Sequence, residues 1–172
     1  LNTLQRIGVY YKKGFRDWLR EFLQNWKLIG ISLLLVVAAT AVDYHAGVYV
    51  TSAGTMDVPD LILNRIEKPI DLSLVFVYGY IAIIVALFSY PLVFHIRTLH
   101  RVISQFSLLV ALRSGFIILT HLETPAHAID VSFPGIFGKL SFENDMFFSA
   151  HTAIPFLGFL LFRHSPIRYF FL

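Results

Sequence analysis

The chain has 172 residues and a formal net charge of +3; 56% of its residues are hydrophobic and only 15% are charged. Water-soluble domains carry about 25% charged residues, so this composition excludes a soluble protein and indicates one that resides in a membrane. The absence of cysteine excludes disulfide bonds, cysteine-based metal sites and a cysteine nucleophile.

Residues 1–26 are predicted to form a basic amphipathic helix. Their apolar side chains recur at helical spacing, with Lys and Arg on the opposite face. The pattern is typical of a helix that lies in the plane of the lipid headgroups, and the alternative is a cytoplasmic helix packed on the rest of the protein. We therefore divide the chain into an interfacial helix, 1–26, and a transmembrane helical domain, 27–172.

Four apolar segments follow, each close to the roughly 20 residues that a helix needs to cross a bilayer. They cover residues 28–42, 72–94, 102–122 and 146–162, and the first can continue past Asp43 to position 50. Residues 167–172 look like the beginning of a fifth span. The predicted fold class is all-α, a polytopic transmembrane helical bundle with four spans and the start of a fifth.

The connections between these segments alternate in charge. Basic residues precede the first span and follow the second and fourth, whereas acidic residues dominate the loops at 43–71 and 121–145. Because cytoplasmic loops carry an excess of Lys and Arg, the N-terminus is predicted to be cytoplasmic and the acidic loops to face the exterior or periplasm. The expected location is the plasma or inner membrane.

His151 lies where the second acidic loop enters the fourth apolar segment, shortly after Ser149. One interpretation is an interfacial histidine that is hydrogen-bonded to a neighbouring helix. The other is a general acid or base, because imidazole titrates near neutral pH.

Arg113 lies in the middle of the third apolar segment. A guanidinium stays charged, so it needs an anionic partner or a wet cavity. The two interpretations are an ion pair with an acidic residue of another helix and a bidentate contact to phosphate. Thr120 follows on the same helical face, about 10 Å further along the axis, which would place it at the outer rim near His151.

The remaining histidines carry weaker signals. His95 and His100 are expected to be interfacial residues on the cytoplasmic side. A metal site from His121, His127 and Asp130 is not predicted, because their spacing matches no standard metal motif. The sequence has no glycine-rich phosphate loop and no basic stripe suited to nucleic acid, and no cofactor is expected.

Two motifs occupy the C-terminal part of the chain. The run ENDMFFSAHTAIPF contains Asp145, Ser149, His151 and Thr152, and a Ser-Pro turn follows at 165–166. The earlier run RSGFIILTHLETP contains Arg113, Thr120, Leu122 and Pro125. Together they resemble the sphingomyelin synthase-like branch of the type-2 phosphatidic acid phosphatase superfamily, over roughly residues 72–172.

The resemblance implies a phosphohistidine mechanism on a lipid phosphate. In that family a histidine of a third motif, paired with an aspartate, attacks phosphorus, and the histidine of the second motif protonates the leaving group. By this resemblance His151 is the acid, and Ser149, Thr152 and Arg113 bind the phosphate. Asp145 and Thr120 have supporting roles.

The chain departs from the branch in two ways. Ala150 and Asn144 stand where the branch has glycine, and a methyl at position 150 restricts close approach of the backbone to phosphate. The third motif, His-x-x-x-Asp after a fifth span, is not among these residues. We expect that motif to follow in a longer protein, and the alternative is a truncated form without its nucleophile. In either case we do not expect the present residues to catalyse alone.

The sequence therefore predicts a membrane lipid phosphatase or phosphotransferase, with a phosphate-headed lipid as its substrate at the outer leaflet. The first alternative is a non-catalytic membrane protein of the same fold that binds lipid or a partner. The second is a transporter or channel subunit in which Arg113 and His151 form a polar pathway.

Overall fold

The computed structural model describes residues 3–53, 71–122, 131, 133–140, 142 and 148–172, with the backbone alone for 3–13 and 136. Throughout these residues the regular structure is helical, without any β-strand. The helices are α1 (Thr3–Ser52), α2 (Ser73–Phe94), α3 (Ile96–Leu119), the single turn α4 (Ile136–Lys139), α5 (Ala150–Leu161) and a 3₁₀ helix (Pro166–Phe171).

In the described residues, three helices are long and apolar enough to cross a membrane, namely α2, α3 and the Gly14–Ser52 part of α1. Most of their apolar surface is exposed rather than buried inside the protein. Such surface is stable only against lipid or another apolar partner. The predicted all-α class is confirmed, and the chain is an integral membrane protein.

α1 is one continuous helix of 50 residues, about 75 Å long at 1.5 Å per residue. It joins the predicted interfacial helix to the predicted first span without a break. Its first half packs on the α2–α3 junction, where the indole Nε1 of Trp18 donates to the carbonyl of Leu92 at 2.8 Å. Glu21 and Arg97 form an ion pair at 2.9 Å. Residues 1–26 therefore pack on the bundle through Trp18 and Glu21, and their location, among lipid headgroups or in the cytoplasm, stays a prediction.

α1 and α3 run side by side in the same direction. Ile29, in the middle of α1, packs with Ile96, Leu99 and Ile103 from the beginning of α3 in a buried cluster, and further along both helices Asp43 contacts Arg113. α2 runs the opposite way, since it is joined to α3 through His95 alone. A second buried cluster links α2, α3, α5 and the 3₁₀ helix through Leu87, Val102, Ile154, Phe162 and Phe171.

α5 is shorter than the predicted fourth span. Its 12 residues extend for about 18 Å, less than the roughly 30 Å of a hydrocarbon core. The residues of the predicted fifth span lie in the 3₁₀ helix, whose buried Phe171 folds back on α5 against Gly158. The fourth and fifth spans stay predictions.

Polar contacts gather at both ends of the bundle. At one end Tyr90 and Ser165 share a hydrogen bond of 2.8 Å, and the Glu21–Arg97 ion pair lies at the same end of α2 and α3. At the other end α2 begins after Asp71, whose carboxylate accepts the hydroxyl and, at 2.9 Å, the backbone amide of Ser73. These two donors, the hydroxyl first, lower the pKa of Asp71 below its ordinary value. The second end also holds the residues that the sequence singles out.

Candidate functional site

A cavity of about 390 Å³ lies between α1, α2, α3 and the beginning of α5. Its ionisable and hydroxyl side chains include Asp43 from α1, Arg113 from α3, and Ser149 and His151 at the start of α5. Aromatic side chains form much of its wall, and these are Phe76, Tyr80, Phe106, Phe133, Phe137, Phe142 and Phe148. A charged pair beside apolar walls suits an amphiphilic ligand, with a polar headgroup attached to hydrocarbon.

The cavity lies near one end of the bundle. Arg113 is about 9 Å from the end of α3 at 1.5 Å per residue, and His151 lies in the first turn of α5. Phe76 and Tyr80 come from the first two turns of α2. The ends of these helices therefore bring the polar groups together near one end of the bundle.

Arg113 forms an ion pair with Asp43. Its Nη1 donates to Oδ1 of Asp43 at 2.8 Å, and the hydroxyl of Ser114 lies 3.0 Å from the same oxygen. The Arg113 and Asp43 side chains are 14% and 13% exposed. The ion pair is the first of the two interpretations considered for Arg113. The residue also lines the cavity, so a phosphate contact stays a prediction.

Asp43 is a site residue that the sequence reasoning missed. It appears in the sequence only as an acid at the edge of the first apolar segment, one of several on the predicted outer side. The signal in the sequence was a carboxylate in one apolar segment and a guanidinium in another. Pairing the two across 70 positions of sequence requires knowing that α1 and α3 are adjacent.

His151 is held by aromatic rings. Its imidazole stacks on Phe76, with ring centroids 3.7 Å apart and planes 16° apart, and it also contacts Tyr80 at 4.2 Å. Phe133 lies at 5.9 Å. The Nε2 atom is buried and has no hydrogen-bond partner within the part of the chain that the structure describes. A buried polar atom of this kind calls for an explanation, and a ligand in the cavity supplies one.

Ser149 is the N-cap residue of α5. Its carbonyl accepts the amides of Thr152 and Ala153 at 3.2 and 3.0 Å, while its side chain makes no capping hydrogen bond. The hydroxyl is therefore not committed to the helix. The preceding Phe148 has φ 69°, in the left-handed region that is strained for a bulky side chain, and such strain is common at functional sites.

Two predicted site residues do not line the cavity. The Thr120 hydroxyl donates to the Phe116 carbonyl of its own helix at 2.8 Å, and Thr152 is exposed on the first turn of α5. Asp145 lies outside the described residues. The cavity thus unites Arg113, Ser149 and His151.

The weaker histidine signals lead to no site in the described residues. His121 packs edge-on against Tyr49, with ring centroids 5.5 Å apart, while His127 and Asp130 fall in the undescribed range 123–130. Within the described ranges, no group of three His, Asp or Glu side chains is arranged to hold a metal ion.

No family model matches this chain, and no curated protein or solved structure is significantly similar to it. The relationship to the sphingomyelin synthase-like branch therefore stays a prediction that rests on the two motifs.

The cavity has groups that can bind and protonate an oxyanion. Arg113 supplies a positive charge, Ser149 a hydroxyl donor, and His151 a ring nitrogen that can carry a proton. The Asp43 carboxylate offsets the charge of Arg113. The site is therefore better suited to an anion with an apolar tail than to a small free anion. The tail can pack against the aromatic walls, and this contact adds affinity to that of the charged groups.

Proposed function

We propose that the cavity binds the phosphate-bearing headgroup of a lipid and forms part of a lipid phosphatase or phosphotransferase. The main support is that Arg113, Ser149 and His151, which belong to two separate sequence motifs, line one cavity. Its aromatic walls suit the first carbons of an acyl chain, and its place near the helix ends suits a headgroup. The proposed orientation puts this end at the outer leaflet and the N-terminus in the cytoplasm.

The proposed reaction proceeds by two displacements at phosphorus. A nucleophilic histidine, which the family resemblance implies, bonds to phosphorus as the bond to the lipid oxygen breaks, and Nε2 of His151 gives its proton to that oxygen. Water or a second lipid alcohol then attacks the phosphohistidine and returns a proton to His151. Arg113 and Ser149 contact the phosphoryl oxygens, where fixed donors stabilise the negative charge of the transition state.

The test is turnover of phosphatidic acid and of a phosphodiester lipid by the complete protein in lipid vesicles. We expect His151→Ala to lower kcat by roughly 10²–10⁴-fold, the usual contribution of a general acid. Free phosphate from phosphatidic acid would indicate a phosphatase, and a new phospholipid formed with an added lipid alcohol would indicate a phosphotransferase.

The matched control is His121→Ala. His121 lies at the same end of the bundle but outside the cavity wall, so this variant should keep wild-type turnover. Full activity of His151→Ala would remove His151 from the mechanism. If the wild-type protein binds phospholipid without converting it, the non-catalytic alternative replaces the enzymatic proposal.

A further inference from the structure

The ion pair in the cavity wall points to a role for a residue that neither motif contains. We propose that Asp43 is a positioning residue that acts as an exchangeable counter-ion: it holds the Arg113 guanidinium at the cavity wall and yields it to the incoming phosphate group. This inference rests on the proposed function. In this view Asp43 competes with phosphate for Arg113, and this competition sets how tightly the site binds phosphate.

Asp43 is placed to compete with phosphate for the Arg113 guanidinium. Its Oδ1 takes Nη1 of Arg113 at 2.8 Å, the kind of contact that a phosphate oxygen would make. Both side chains are mostly buried and both line the cavity. A carboxylate this close to Arg113 repels a phosphate that approaches the same guanidinium, so binding requires the Arg113–Asp43 contact to weaken.

Ser114 provides Asp43 with a replacement donor. Its hydroxyl is within hydrogen-bond distance of two acceptors, Oδ1 of Asp43 at 3.0 Å and the Val110 carbonyl at 2.9 Å. A hydroxyl has only one proton to donate. While Arg113 donates to Asp43, Ser114 can donate to Val110; when Arg113 turns to phosphate, Ser114 can donate to Asp43. The carboxylate then keeps a hydrogen bond throughout the exchange.

The exchange has a consequence for turnover. An enzyme gains nothing by holding its phosphate product tightly, because release then limits the rate. A resident carboxylate weakens phosphate binding in the ground state and takes Arg113 back as product leaves. Removal of the carboxylate should therefore tighten phosphate binding and slow product release.

The decisive variant is Asp43→Asn in the complete detergent-solubilised protein, with inorganic phosphate as the probe and chloride of equal ionic strength as the reference. We expect this variant to unfold at a lower temperature than wild type in chloride, because it strands a buried cation. Phosphate at 100 times its dissociation constant should raise that temperature by roughly 5–10 °C, and wild type should need a higher phosphate concentration for the same rise. Turnover should show a lower kcat and a lower KM.

Three variants complete the design. The double variant Asp43→Asn/Arg113→Gln should lose the phosphate effect, and Asp71→Asn, which alters an exposed carboxylate, should respond to phosphate as wild type does. Ser114→Ala should weaken phosphate binding roughly three- to tenfold, the value of one hydrogen bond, and it keeps the test available if Asp43→Asn does not fold.

Destabilisation of Asp43→Asn that phosphate does not reverse, in a protein that still turns over lipid, would overturn the inference and leave the proposed function standing. Where Asp43→Asn does not fold, unchanged phosphate binding by Ser114→Ala would overturn it. If phosphate raises the unfolding temperature of Asp43→Asn but the wild-type protein converts no lipid, the counter-ion role is supported and the enzymatic proposal is wrong.

Discussion

The aromatic rings around His151 restrain its imidazole and leave its ring nitrogens available. The faces of Phe76 and Tyr80 restrain the imidazole, and they do so without using either ring nitrogen, because a ring face offers no conventional hydrogen-bond acceptor. The position of a proton donor strongly affects the reaction rate, because a misplacement of about 1 Å can lower the rate about 10²-fold. We therefore regard Phe76 as important for the placement of His151.

Phe76→Leu tests this placement. We expect kcat to fall about tenfold or more with little change in KM, because a smaller, non-planar side chain leaves the imidazole free to rotate. The matched control is Phe156→Leu, the same replacement at an exposed position of α5, which should leave the kinetics unchanged. Equal kinetics for the two variants would show that His151 is positioned by other contacts.

Among the helices, α5 depends on a close contact with the 3₁₀ helix. A Cβ atom at Gly158 would overlap the ring of Phe171, which is itself buried. By contrast, Gly79 of α2 has open space around the position of a Cβ. The Gly158 contact anchors the end of α5 and so supports the helix that carries His151.

Gly158→Ala and Gly79→Ala form a matched pair, since each adds one methyl group to a helix. Alanine at position 79 should stabilise the protein by up to about 1 kcal/mol, through helix propensity. Alanine at position 158 should destabilise it by about 1–3 kcal/mol, because the 3₁₀ helix must shift to admit the methyl group. Thermal unfolding in detergent measures both changes, and stabilisation by alanine at position 158 would contradict the close contact between Gly158 and Phe171.

At the scale of the whole molecule, the orientation in the membrane decides which polar end faces the cytoplasm. The cavity end carries Lys139 on α4, and the opposite end carries His164 after α5; both residues are exposed. Charge alternation predicts that the cavity end is external. The absence of native cysteine allows single cysteines to report this directly.

We expect a membrane-impermeant maleimide to label Lys139→Cys in intact cells and to leave His164→Cys unlabelled until the membrane is opened. Labelling after permeabilisation is the control for reactivity at both positions. The opposite pattern would reverse the orientation, and it would move the proposed site to the inner leaflet.

Local sequence patterns were sufficient for much of the fold. The uncharged run at 72–94 predicted α2 almost to the residue, and the run at 102–122 predicted most of α3, because a long apolar segment in a bilayer must satisfy its backbone hydrogen bonds within a helix. The same patterns suggested two elements where α1 is continuous, since a change from amphipathic to apolar composition does not require a break in helical hydrogen bonding.

The cavity could be anticipated only in part. Arg113 and His151 stood out because ionisable groups are costly in an apolar segment, and Ser149 was singled out by the resemblance of its motif. The partner of Arg113 and the rings around His151 depend on which helix faces lie side by side. Asp43 and Phe76 have no local feature that marks them for these roles, and only the packing of α1 on α3 and of α2 on α5 brings them to the site.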